Sequence, residues 1–359
     1  MKYWTINIWD LMPELIPTHA SPETYDQHLK SLEKDDYDAV ILYCQCEYEF
    51  YNIPKYQQIL EITKRKKINV YVLVGLEHQY KNLPENVHII CWPSHFFRQT
   101  AEQLAYDDLL LNRKIKTFDE IFINDLDNLT YKYHFLYMNG KSHLWRSRLI
   151  EYVAKYDLLK YSAYSWHSTS AGQFKYYDGS KKILDKQYTS FKDHGWLPKE
   201  YYESFFQLVP ESCMDAHFIT EKTITPLLIG KPFLIAGATG INKKLKSFGF
   251  ELYEELFDYT FDDIDDIDQK YIKICKNIKK IVDMPLEQCK EMHSKIQDKV
   301  IHNRKRAIEF AYDLDNVPEI VKYTIQHFDE TGIKLDYSLI LTEQRLRVLK
   351  NNYYKMRNK

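Results

Sequence analysis

Short strand-like runs recur along the first third of the chain. They lie at residues 5–9 (TINIW), 38–44 (DAVILYC), 68–75 (INVYVLVG), 87–92 (VHIICW) and 118–125 (FDEIFIND). Each predicts a strand, and the continuous apolar run 38–44 and the run 68–75, closed by glycine, predict strands buried on both faces. Between them, residues 54–67 predict a helix whose basic end, Lys64 to Lys67, suits the negative pole of its dipole. A second helix is expected at about 97–112. Strands alternating with helices imply a parallel sheet covered on both faces.

The polar stretch LDNLTYK, 126–132, interrupts this pattern and marks the expected boundary between two domains, 1–130 and 131–359. The pattern then restarts. YHFLYMNG, 133–140, predicts a strand ending in a turn, with Ser142 placed to cap the next helix. Trp145, Leu149, Val153 and Tyr156 recur at helical spacing as that helix's buried stripe. YSAYSWHS, 161–168, reads as a loop in which Trp166 or Tyr164 either stacks on a nucleobase or, as is commoner, packs in the core. Strands are expected at 204–209 (SFFQLV), 231–237 (KPFLIAG) and 250–253 (FELY), with a helix at 242–248 capped by Gly249. From Asp262 onward a helical C-terminal region is expected. The fold class is therefore α/β, with two Rossmann-like domains facing a central cleft. Ligands of such sheets gather at the carboxyl ends of the strands.

Length agrees with two domains, since 359 residues exceed one ordinary domain. A net charge of −2 provides no global field towards nucleic acid or membrane. The two basic runs, Lys64 to Lys67 and 345–359, read as solvated helix ends. No stretch reaches the roughly 18 apolar residues of a membrane span, and the N-terminal apolar run is too short and broken for a signal peptide. The six cysteines are scattered, and neither CxxC nor HExxH occurs, so zinc is not expected. Reduced thiols in a cytoplasm are expected.

The candidate chemistry centres on residues 218–237, FITEKTITPLLIGKPFLIAG. Thr220 is a good N-cap, and Glu221 in the first turn is favoured by the helix dipole. Lys222 in the same turn is disfavoured unless an anion such as phosphate binds there. Pro226 places the helix start nearer Thr223. A solvent-exposed Glu-Lys pair without a ligand is the alternative.

FFQLVPESCMDAHFITEK, 205–222, resembles the donor-binding half of GT-B-fold glycosyltransferases. It looks most like the fucosyltransferase-like group and its phage-encoded relatives. Their pattern is a strand, Glu-Asn-Ser, a variable loop, an aromatic, Val or Ile, and Thr-Glu-Lys. Glu211 stands at the first Glu, and 218–222 match the second part, while Ser212 and Cys213 depart from Asn-Ser. MNGKSHLWRSRLIEYVAKYDLL, 138–159, resembles a second block with Asn139 at the turn and Arg146 entering the helix. Arg148 is the alternative, and Trp145 replaces the usual His. The resemblance covers roughly 133–260.

It implies an inverting glycosyltransferase that takes a nucleotide-diphosphate sugar as donor and requires no cofactor or metal. Lys222 and Arg146 would meet the diphosphate, Glu221 the ribose hydroxyls, and Glu211 and Asn139 would support donor binding. The general base would follow a strand of the first domain, with Asp10, Glu47 and Glu49 as candidates and Glu47 preferred. The acceptor is a glycan, a protein or modified DNA, the last calling for a basic face. A GT-A enzyme holding Mn or Mg on Asp125 and Asp127 is one rival. A non-catalytic nucleotide-sugar-binding protein is another.

Overall fold

The computed structural model describes residues 2–7, 22–44, 54–74, 83–91, 129–140, 143–167, 174–184 and 200–312. The chain forms two compact units. Their described residues lie within Met1–Ser94 and His95–Asp313. The expected linker at 126–132 falls partly outside the described residues, as do the expected helix at 97–112 and strand at 118–125.

In the first unit, β1 (Tyr3–Asn7), α1 (Pro22–Lys34), β2 (Ala39–Cys44), α2 (Pro54–Lys66), β3 (Asn69–Val74) and β4 (Val87–Cys91) follow one another. The four strands are parallel and lie in chain order, β1-β2-β3-β4. Val40, Leu42, Val70 and Val72 form the sheet's core with Leu32 of α1 and Tyr56 and Ile59 of α2. Helix α1 was not legible in the hydrophobic pattern, which carries few apolar positions there.

The basic run ending α2 is more than a solvated helix end. Lys64, Arg65 and Lys67 are exposed, but Lys66 Nζ donates to Leu32 O at 3.0 Å, to Glu33 O at 3.1 Å and to Asp35 O. Those carbonyls end α1, where the last turn has no helical donors, and Arg65 adds an ion pair to Glu33 at 2.6 Å. Lys66→Met is expected to destabilise the first unit by about 1–3 kcal/mol. Hydrogen exchange of α1 peptides in the full chain measures this, and unchanged protection there would refute the clamp.

The second unit contains β5 (Tyr133–Asn139), α3 (Leu144–Lys155), β6 (Ser162–Trp166), α4 (Glu200–Glu203), β7 (Ser204–Pro210), α5 (Glu221–Ile229) and β8 (Phe233–Ala236). It continues with α6 (Ile241–Ser247), α7 (Ile267–Val282), α8 (Leu286–Lys295) and α9 (Gln297–Tyr312). Its strands are also all parallel, in the order β6-β5-β7-β8. All seven residues of β7 are buried, Ser204 and Gln207 included, as a sheet covered on both faces requires.

Three sequence expectations change here. Residues 161–168 hold strand β6, not only a loop: Ser162 Oγ donates to Leu159 O at 2.8 Å and Ser165 Oγ accepts from Asn139 N at 3.1 Å. Conversely, 250–253 is not a strand. Asn303 of α9 takes the place of a neighbouring strand, its Oδ1 accepting from Glu251 N at 2.7 Å and its Nδ2 donating to Glu251 O at 2.8 Å. The buried stripe of α3 is Arg146, Leu149, Ile150 and Val153, with Trp145 and Tyr156 half-buried. The cap expected from Gly249 is present, with φ 88° and its N–H on Lys246 O at 2.9 Å. Cys275 and Cys289 are buried thiols and Cys213 is half-buried.

The two strand orders differ in a way that bears on function. Among the described strands, the first sheet grows in one direction. In the second, β5 has β6 on one side and β7 on the other. Strand order reverses between β5 and β7, and open parallel sheets bind ligands at the carboxyl ends of the strands beside such a reversal.

Candidate functional site

Four of the sequence-predicted donor-site residues cluster at two places near that reversal. Arg146 enters from the first turn of α3 and is only 3% exposed. Its Nε donates to Pro210 O at 3.2 Å and one Nη to Ser212 Oγ at 2.7 Å. The guanidinium thus ties the helix after β5 to the end of β7. The departure at Ser212 has a structural use, because its hydroxyl is one of the Arg146 acceptors. Arg148 lies at the surface, paired with Asp268 at 2.5 Å. Of the two arginines, Arg146 is the one at the strand ends.

Glu211 follows β7 directly and is 1% exposed. Its carboxylate accepts from Thr220 N at 3.1 Å, Thr220 Oγ1 at 2.7 Å and Thr223 Oγ1 at 2.6 Å. Thr220 caps α5, its Oγ1 accepting from Lys222 N at 3.4 Å. The helix starts at Glu221 despite Pro226, not nearer Thr223. A negative charge therefore already sits beneath the N-terminus of α5, where the dipole favours it. It is the chain's own.

Lys222 is stabilised in that first turn by this arrangement. Its Nζ donates to Glu221 Oε1 at 2.6 Å and Thr220 Oγ1 at 3.2 Å, which accounts for two of its three N–H groups. The side chains of Lys222 and Glu221 are 26% and 46% exposed, so both reach solvent at the helix mouth. The Glu-Lys pair is a half-exposed ion pair standing on a buried carboxylate. The roles of Thr223 and Ser212 in holding Glu211 and Arg146 were not expected from the sequence. The Thr220-Thr223 spacing beside a helix start was the available signal.

Asn139 ends β5 and is 2% exposed. Its backbone N–H is held by Ser165 Oγ and its carbonyl accepts from His167 N at 3.3 Å. Its side-chain oxygen and nitrogen are buried without a hydrogen-bond partner among the described residues. Trp166, 0% exposed, packs edge-on with Phe174 and Tyr177. Tyr164 has Lys182 Nζ over its ring at 3.9 Å. Core packing is the role of the Trp166 ring. Burial, and then Lys181, lowers the pKa of the neighbouring His167.

The acidic tract 261–268 also resolves into local structure. Asp262, 1% exposed, accepts from Asn242 N at 3.3 Å and Lys243 N at 3.0 Å, filling the start of α6. Asp266 caps α7 through Gln269 N at 2.8 Å. Lys270 reaches Gly237 O at 3.3 Å and Thr239 Oγ1 at 3.0 Å, with burial lowering its pKa. No three His, Cys, Asp or Glu side chains converge to hold a metal among the described residues. Glu47, Asp10 and Glu49 lie outside the described residues, as do Asp125 and Asp127. None of the described helices is long and apolar enough to cross a membrane.

The fold and these strand-end groups define a two-unit parallel α/β protein. Comparison with known proteins gives no match to a family model, a curated protein or a solved structure.

Proposed function

We propose that this chain is a GT-B glycosyltransferase that moves a sugar from a nucleotide-diphosphate donor to an acceptor hydroxyl, with inversion and without a required metal. The observation that carries this reading is the buried guanidinium of Arg146 at the strand-order reversal of the second sheet, fixed on Pro210 O and Ser212 Oγ. A cation held rigidly in a dry site is suited to charge that develops on a leaving diphosphate. Lys222 contributes its remaining N–H from the mouth of α5, and Glu221 accepts from ribose hydroxyls. Glu211 acts by positioning, since its carboxylate is fully engaged within the chain. A general base removes the acceptor proton, and Glu47 is the candidate from sequence. The acceptor is a glycan, a protein or modified DNA.

Calorimetry with nucleoside diphosphates and their sugars, without metal, tests this. One nucleotide is expected to bind, and Lys222→Ala to weaken it roughly 10- to 150-fold through loss of one charge-assisted hydrogen bond. If no nucleotide binds, or if Lys222→Ala binds as tightly as wild type, the donor-site reading fails. Binding without sugar transfer to any acceptor would leave a nucleotide-sugar-binding protein.

A further inference from the structure

The last residues of β5 and β6 carry unmet hydrogen-bonding groups side by side. Asn139 and Trp166 are partners in the parallel register, so their side chains project to the same face from strands about 4.8 Å apart. Their backbones are engaged. Asn139 is held by Ser165 Oγ and His167 N, while Trp166 N and O pair with Lys182 at 2.7 and 2.8 Å. Among the described residues, Asn139 Oδ1, Asn139 Nδ2 and Trp166 Nε1 are buried with no partner. Nearly all buried polar side-chain groups in folded proteins are hydrogen-bonded, so three unmet atoms at one paired position demand an explanation. Two residues earlier on the same face of β5, the Tyr137 hydroxyl donates to Arg146 O at 3.3 Å. The unmet groups therefore lie on the face covered by the first turn of α3, near Arg146.

Two donors and one acceptor, uncharged, stand near a cation. A hydroxyl both donates and accepts, so two adjacent hydroxyls can satisfy all three atoms. One hydroxyl donates to Asn139 Oδ1, and Asn139 Nδ2 and Trp166 Nε1 donate to the hydroxyl oxygens. We propose that Asn139 and Trp166 form a recognition pair for the vicinal diol of a phosphorylated sugar, beside the Arg146 that takes the phosphate. This rests on the transferase reading for the presence of such a ligand. Reaching the pair requires a local opening at the strand ends, and the unmet groups lower the cost of leaving the closed arrangement.

The test is the indole N–H NMR signal of Trp166 in the full chain, assigned with Trp166→Phe. The probes are the 1-phosphates of glucose, galactose and mannose, then UDP and GDP, then the 2′,3′-dideoxy forms of both nucleotides. At least one diol-bearing probe is expected to move the signal and the dideoxy nucleotides are not. Asn139→Leu is expected to weaken the active probe about tenfold or more, while the unfolding temperature of the free protein stays level or rises. A shift with hexose phosphates assigns the pair to the transferred sugar, and a shift with nucleotides alone assigns it to ribose. The proposal is overturned if every probe leaves the signal unmoved or if Asn139→Leu binds like wild type. UDP or GDP binding with Trp166 unmoved sinks this inference and leaves the transferase reading standing. A hexose phosphate that moves Trp166 while neither nucleotide binds has the opposite meaning.

Discussion

Glu211→Ala is expected to destabilise the second unit by about 3–5 kcal/mol. The carboxylate is 1% exposed and accepts from Thr220 N, Thr220 Oγ1 and Thr223 Oγ1. Removing it leaves three donors buried at the start of α5 and withdraws the negative charge that the helix dipole favours there. Glu211→Gln keeps one oxygen acceptor and an isosteric shape, so its loss should be smaller. Hydrogen exchange of peptides from β7 and α5 reads the effect within the second unit. The same loosening frees Lys222 from its place on Thr220, so nucleotide affinity should fall with stability. Wild-type protection in Glu211→Ala would show that the threonines find other acceptors and that the carboxylate is no keystone.

Acidification should destabilise the second unit through His293 alone by about 1.4 kcal/mol for each pH unit between 6.5 and 3. His293 is 0% exposed, its Nδ1 hydrogen-bonded to the buried Tyr131 hydroxyl and its Nε2 buried without a partner. Burial, and then the nearby Lys231, pushes its pKa from 6.5 to about 3. Below 6.5 the unfolded chain takes a proton at this residue, whereas the folded chain does not until about 3. The unfolded state thus binds more protons, and stability declines as pH falls through this window. Lys231 Nζ is held by the carbonyls of Tyr201 and Ser204, and burial lowers its own pKa well below the usual lysine value. In His293→Phe the acid slope should be shallower by about one proton. Denaturant unfolding at several pH values checks this, and equal slopes in the two proteins would count against a neutral buried imidazole.

Much of the fold was legible because strands covered on both faces are mostly apolar runs. DAVILYC, INVYVLVG, YHFLYMNG and SFFQLV each contain a strand. β6 was not legible, because two of its five residues are serines whose hydroxyls are satisfied by Leu159 and Asn139, partners that local sequence does not reveal. FELY misled for the opposite reason: the Glu251 backbone is satisfied by Asn303, some fifty residues on, and Leu252 O and Tyr253 N by Lys299 and Tyr259. In the site, periodicity favoured Trp145 as a core position, yet Arg146 is the buried one, since β7 and Ser212 offer acceptors that no helical pattern encodes. Glu211 was singled out by its spacing from the TEK motif and Lys222 by its place in the first turn of α5. That Glu211 is itself the anion beneath α5 follows only from the packing of β7 against that helix.

The contrasting strand orders also bear on how the chain is made. In the first unit each described strand pairs with the one before it, so a chain leaving the ribosome can add strands to an edge already in place. In the second unit β5 must wait for β7, and Tyr133 pairs with Ser204 only after the whole intervening segment has been synthesised. Until then β5 presents an unpaired, largely apolar edge, the kind of surface that recruits other nascent chains. A chain interrupted between β6 and β7 would expose the open side of its second sheet.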